Sequence, residues 1–384
     1  MNKVIERERE IKIDFDNKNR KDIHKIDIKI LNKKIKIKKG KINNNKLEPK
    51  KECKLNELSY YKFEHSKTLV EDSHSTLYNN TFSIFKSIDN IFYLIYTNKN
   101  KSIISFNLIN YKKISEIKNA HKRYITSFRY KYDKVNNKDI IMSVSGEDNN
   151  IKLWNTKNWE CLHNFENIYS NGIIYSACFL DDNINIYIIS SNWISYFMRP
   201  EPIKVFDLNG NKIKEINDSK ENIFLIDSFY DNKLSKNYIV IGKIESIKSF
   251  DFIENKKYRE YTVNDRKDHS NFIINDNENI IKLIESSWDG NVRIWNFHSG
   301  ELLKTIQVNN QMYGICLYKN NHLCLGCKPH SIKLIDLNKD QVIIKLLGHL
   351  DSVITIKSLF HPKYGECLIS QSNDKTIKLW MNII

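Results

Sequence analysis

The chain has 384 residues, with 61 Lys+Arg against 46 Asp+Glu and a formal charge of +15. At 41% hydrophobic and 11% aromatic it can bury a core, which excludes collagen-like, disulfide-dense and wholly disordered classes. No run approaches the roughly 18 apolar residues of a membrane-spanning helix, and Met1–Glu8 lacks the apolar stretch of a secretory leader. Seven thinly spread cysteines make no disulfide framework. The expectation is a reduced, intracellular, cytoplasmic or nuclear protein, and the sequons at Asn79 and Asn100 are then chance matches.

In chain order, the first segment is a basic, low-complexity tail. Residues 1–54 hold 19 Lys+Arg and 9 Asp+Glu, a net of +10, and the other 330 residues hold 42 and 37, a net of +5. Runs such as Ile35-Lys36-Ile37-Lys38-Lys39 alternate like a strand but have no second layer nearby, so residues 1–58 are expected to be disordered. A solvated charge run needs no function. The functional alternatives are an electrostatic anchor for RNA or chromatin, an anionic-lipid contact or a nuclear-import signal, and the nucleic-acid reading is weakened by Phe15 being the only aromatic before residue 60.

From about residue 60 the chain repeats. Apolar strand, tight turn with Asp, then strand ending in Trp recurs at Ser145–Trp154, Ser286–Trp295 and Leu368–Trp380. In each, the Asp (Asp148, Asp289, Asp374) lies six residues before the Trp. Weaker copies end at Phe106, Phe206, Phe250 and Ile335, so the seven anchors are spaced 48, 52, 44, 45, 40 and 45 residues apart. Six of them are followed by Asp or Asn: Asn107, Asn155, Asp207, Asp251, Asn296 and Asp336. That period with short strands predicts an all-β, seven-bladed β-propeller of four-stranded antiparallel blades over residues 59–384. Only 11 Gly and 5 Pro are available, so Asn, Asp and Lys must fill turns that glycine would ordinarily take.

These repeats resemble the WD-repeat (tryptophan–aspartate repeat) β-propellers, whose blades carry a Gly-His pair upstream of the Trp. The counterparts are Ser73-His74, Ala120-His121, Asp268-His269 and Gly348-His349. The resemblance implies a buried network in three blades: His121/Asp148/Trp154, His269/Asp289/Trp295 and His349/Asp374/Trp380. A serine should complete each; Ser370 fits, whereas Val144 and Glu285 stand at the matching positions elsewhere. Blades ending at Phe206, Phe250 and Ile335 lack His and Asp and are expected to be degenerate. Only four residues follow Trp380, so the outer strand of the last blade must come from elsewhere, and residues 66–70 are expected to pair there and lock the ring.

Chemistry-bearing motifs are scarce. There is no phosphate loop, nucleophile elbow or His-Glu-x-x-His, and His/Asp pairs recurring in separate blades suit structure better than a single active site. No enzyme activity, cofactor or metal is expected. Cys324-Leu325-Gly326-Cys327 near His330 has zinc-hairpin spacing but no second Cys pair, and residues three apart on a strand face opposite ways. The repeat ending at Phe206 carries an insertion, Asn192–Pro202, rich in interface residue types: Trp193, Tyr196, Phe197, Met198 and Arg199. By resemblance it lies on the top face, where family members bind partners, together with Arg123, Tyr124, Trp288, Lys328, His330 and Asp351. The expected function is a scaffold or adaptor, a single propeller within a complex of other proteins; the alternative is an RNA- or chromatin-associated propeller anchored by residues 1–54.

Overall fold

The computed structural model describes residues 66–75, 81–194, 200–217, 221–264, 270–276, 280–319 and 321–381. By backbone clustering the chain divides into residues 1–55 and 56–384; everything below concerns the second unit. All its sheets are four-stranded and antiparallel, and there are seven. Blades 1 to 6 are consecutive: residues 82–117, 127–165, 173–216, 225–261, 270–307 and 312–347. Blade 7 takes three strands from 353–380 and its outermost from Ser66–Val70. That strand runs antiparallel to Ile377–Trp380, with Ser66 opposite Trp380 and Thr68 opposite Lys378. The first strands of successive blades lie side by side, except that the first strand of blade 5 meets the second strand of blade 4, and the first strand of blade 1 meets that of blade 7. The described strands therefore form a closed ring around a central axis.

Alternation along each strand explains the ring. Both faces of every blade are apolar, and each packs against a neighbour, giving seven buried clusters, one per blade interface. Every anchor lies in the cluster shared with the preceding blade: Trp154 with blade 1, Trp295 with blade 4, Trp380 with blade 6. The blades ending at Phe206, Phe250 and Ile335, although they lack the His and Asp of the other repeats, are complete four-stranded sheets. Their anchors are buried like the tryptophans, and burial of apolar area does not depend on the indole N–H.

The Asx residue after the anchor has a defined job. Its side-chain oxygen accepts from the backbone N–H two or three residues on: Asn107 from Ile109 and Asn110, Asp251 from Ile253 and Glu254, Asp336 from Asn338 and Lys339. In five blades the turn closes with an N–H to C=O bond from the fourth residue on, as Tyr111 to Asn107 and Trp159 to Asn155. Those fourth residues have positive φ, including Tyr111, Trp159, Asn255 and Asp340. In each of the first six blades the ladder between third and fourth strands also shifts register immediately before the anchor, as at Leu153/Trp154, a bulge that twists the outer strand. Asparagine takes eight of the positive-φ positions among the described non-glycine residues and lysine three, the substitution that glycine scarcity demands.

Candidate functional site

Because the strands of a blade alternate in direction, the turn between second and third strands and the link to the next blade emerge together on one face, the top. The link runs from an outermost to an innermost strand, so residues just before each first strand sit at the mouth of the central channel. Aromatic rings gather there. Exposed Tyr124 stacks on His74 at 4.2 Å between ring centroids, with Lys101 Nζ 6.0 Å from its ring. Tyr175 meets Phe224 edge-on at 5.4 Å, and Trp288 meets Tyr313 edge-on at 5.3 Å. Leu350, 89% exposed, stands beside exposed Asp351. Arg123 is exposed, with Nε 3.9 Å from Glu147, and Lys328 and His330 are exposed as well.

Of the five residues named in the insertion, only Trp193 lies among the described residues. Trp193 is the last residue of strand Ile186–Trp193, paired with Ile173 and half-buried, so its indole is not at a loop tip. Tyr196, Phe197, Met198 and Arg199 lie outside the described residues, as does His269. Tyr175, Phe224 and Tyr313 were missed by sequence reasoning; their signal is an aromatic within three residues of the start of the first strand of blades 3, 4 and 6.

Beneath this face lie the buried polar networks. In blade 7, His349 Nδ1 is 2.9 Å from Asp374 Oδ2, its Nε2 is 2.7 Å from Ser370 Oγ, and Trp380 Nε1 donates to the same Oγ at 2.7 Å. Gly348 is required by proximity, since a Cβ there would come within 3.1 Å of the Trp380 ring. Burial raises the Asp374 pKa, but hydrogen bonds from Leu350 N, Thr376 and His349 outweigh it and hold the carboxyl at about 2. In blade 2 the serine is Ser143, bonded to His121 Nε2 at 2.7 Å and to Trp154 Nε1 at 2.8 Å. The Val144 alignment is off by one because the Gly146–Asn149 turn is one residue longer. Here Asp148 accepts from Arg123 N at 2.9 Å and stays 3.8 Å from His121 Nδ1, which has no hydrogen-bond partner among the described residues. Burial, reinforced by Lys152 and opposed by Asp148, pushes the His121 pKa down to about 3.

Two blades carry variants. In blade 5, Glu285 replaces the serine: it accepts from Trp295 Nε1 at 3.2 Å and pairs with Arg293 at 3.2 Å, and Arg293 also bonds Asp289. In blade 3, Tyr169 replaces the histidine, its hydroxyl donating to Ser190 O at 2.5 Å beside Ser190 Oγ. Tyr169 precedes Ser190 by 21 residues, the His349–Ser370 spacing, a signal present in the sequence but hidden by the six-residue-longer insertion. Blades 4 and 6 place fully buried Ile241 and Leu325 at the serine position; such a network is satisfied or replaced by apolar packing. Cys324 and Cys327 are buried in two successive blade interfaces.

A "WD domain, G-beta repeat" family model matches residues 340–381. The chain is similar to the U3 small nucleolar RNA-associated protein 21 homolog of Schizosaccharomyces pombe, 26% identical over 27% of this chain and 11% of that protein. It is similar to GID complex subunit 7 of the same organism, 28% identical over 24% of this chain and 18% of the relative. The ribosome biogenesis protein ytm1 of Aspergillus terreus is 29% identical over 25% and 20%. The matched stretches thus span between a tenth and a fifth of the length of these relatives.

Proposed function

The chain is a WD-repeat β-propeller, and we propose that it acts as a non-catalytic scaffold or adaptor that binds protein partners on its top face. The observation that carries this reading is the set of aromatic pairs around the channel mouth, from Tyr124/His74 through Tyr175/Phe224 to Trp288/Tyr313. Tyr and Trp offer large, rigid contact area and dominate interface energetics. The closed ring of packed blades beneath holds them at or beside strand ends, which lowers the ordering cost of binding. The names of the relatives, a complex subunit among them, are consistent with work inside assemblies.

The opposite face offers a competing surface, a groove of about 500 Å³ between blades 2 and 3 edged by Val135 and Ile184, each about three-quarters exposed. Affinity purification separates the two faces. Tyr124→Ala with Trp288→Ala should strip partners from a folded protein, while Val135→Asp with Ile184→Asp should retain them. Retention of every partner by the Tyr124/Trp288 variant, or loss through the other pair alone, refutes top-face binding. The same experiment on a variant lacking residues 1–54 tests the RNA reading, which gains only if RNA recovery in moderate salt disappears with the tail.

A further inference from the structure

The central channel contains charge that the networks above do not use. A cavity of about 230 Å³ on the axis is lined by Arg129, Asp227 and Lys357 from the first strands of blades 2, 4 and 7, with Asn271 and Thr355 between them. The net is two cations against one carboxylate. The lysines on third strands behave otherwise: Lys152, Lys204 and Lys333 each donate to a backbone carbonyl at 2.8 Å. Arg129 Nε is instead buried with no hydrogen-bond partner among the described residues, and so is Ser127 Oγ two residues earlier on the same strand face. Asp227 Oδ1 is taken by Ser228 N at 2.9 Å.

We propose that the channel is a binding site for a small, free oxyanion of the phosphate class, held between Arg129 and Lys357. An unpaired buried donor of an ionised group is costly, and a positively charged, water-poor cleft concentrates anions. Oxyanion oxygens would satisfy Arg129 Nε and separate two like charges. The volume is below that of a drug-sized ligand site, which favours an ion of phosphate size over a larger ligand. The titration of Lys357 agrees with this placement: removal from bulk water, with Arg129 nearby and Asp227 opposing, lowers its pKa to about 8, so the ammonium is present at neutral pH.

The test is calorimetric titration of the full chain with inorganic phosphate, ionic strength held constant with sodium chloride. Saturable one-site binding is expected, weakened about tenfold or more by Arg129→Gln or Lys357→Gln, since each removes a charge-assisted contact. Asp227→Asn keeps both cations and should bind severalfold tighter, so a defect in folding cannot account for that outcome. Absence of saturable binding overturns the proposal. So does equal binding by wild type and both cation variants, or Asp227→Asn affinity no higher than wild type. A phosphoserine peptide serves as the second titrant; if it binds where free phosphate does not, the ligand is a partner's side chain and the free-ion proposal fails.

Discussion

Replacing Ser370 by alanine tests the blade 7 network at its most shared atom. With Asp374 at 2.9 Å from His349 Nδ1, that nitrogen carries the proton and Nε2 is the acceptor. Ser370 Oγ therefore donates to His349 Nε2 and accepts from the Trp380 indole N–H. The serine, histidine and tryptophan are all buried. Ser370→Ala leaves two buried polar atoms unpaired, at about 1–3 kcal/mol each, and the expected loss is about 2–5 kcal/mol. Urea unfolding followed by far-UV circular dichroism should show a lower midpoint at unchanged slope. Trp380→Phe removes one of the same bonds, so the double variant should cost at least about 1 kcal/mol less than the two losses added. A Ser370→Ala loss below about 0.5 kcal/mol, or simple additivity with Trp380→Phe, refutes the shared-oxygen account.

Blade 2 provides a pH prediction. The unfolded imidazole of His121 protonates near its ordinary value of 6.5 and the folded one only at about 3, so the unfolded state binds more protons between these values and stability falls as pH drops below 6.5. The loss is about 2 kcal/mol at pH 5; His121→Gln should show a correspondingly shallower acid limb in denaturant midpoints, and identical limbs would contradict it. Glu285→Ala should cost about 2–4 kcal/mol, because it leaves Trp295 Nε1 unpaired and reduces buried Arg293 to its single remaining carboxylate, Asp289; a thermal melt unchanged from wild type counts against the pair. Val70 is buried among blades 7 and 1, so Val70→Asp should detach the outer strand through the cost of burying a carboxylate. Limited proteolysis then cleaves before residue 75 faster than in wild type, and equal resistance refutes the dependence.

The fold was legible because seven anchors repeat at spacings of 40–52 residues, and the Asx residue behind six of them is explained by the turn that it caps. What was not legible came from local length changes and chemical substitution. One extra residue in the turn before Asn150 moved the serine from position 144 to Ser143, and a pattern read by counting back from Trp154 cannot detect that. Tyr169 fills the histidine's place with a different group at the same spacing, visible only once the long connection after Trp193 is discounted. The blades that lack the polar set are nonetheless regular, since Ile241 and Leu325 pack where a hydroxyl would need partners. The channel charges carry no motif: Arg129, Asp227 and Lys357 come from three blades, and only ring closure brings them to one cavity.

The strand that completes blade 7 also sets an order of events in the cell. Thr68 and Lys378 are 310 residues apart, and at roughly 5–20 residues per second of synthesis the early strand waits about 15–60 s for its mate. Throughout that interval the nascent blade 1 has no neighbour on one side, and its apolar flank is open to other chains around it. A shielding factor bound near Ser66–Val70 during translation would act on this interval alone, and its need would end when Ile377–Trp380 leaves the ribosome.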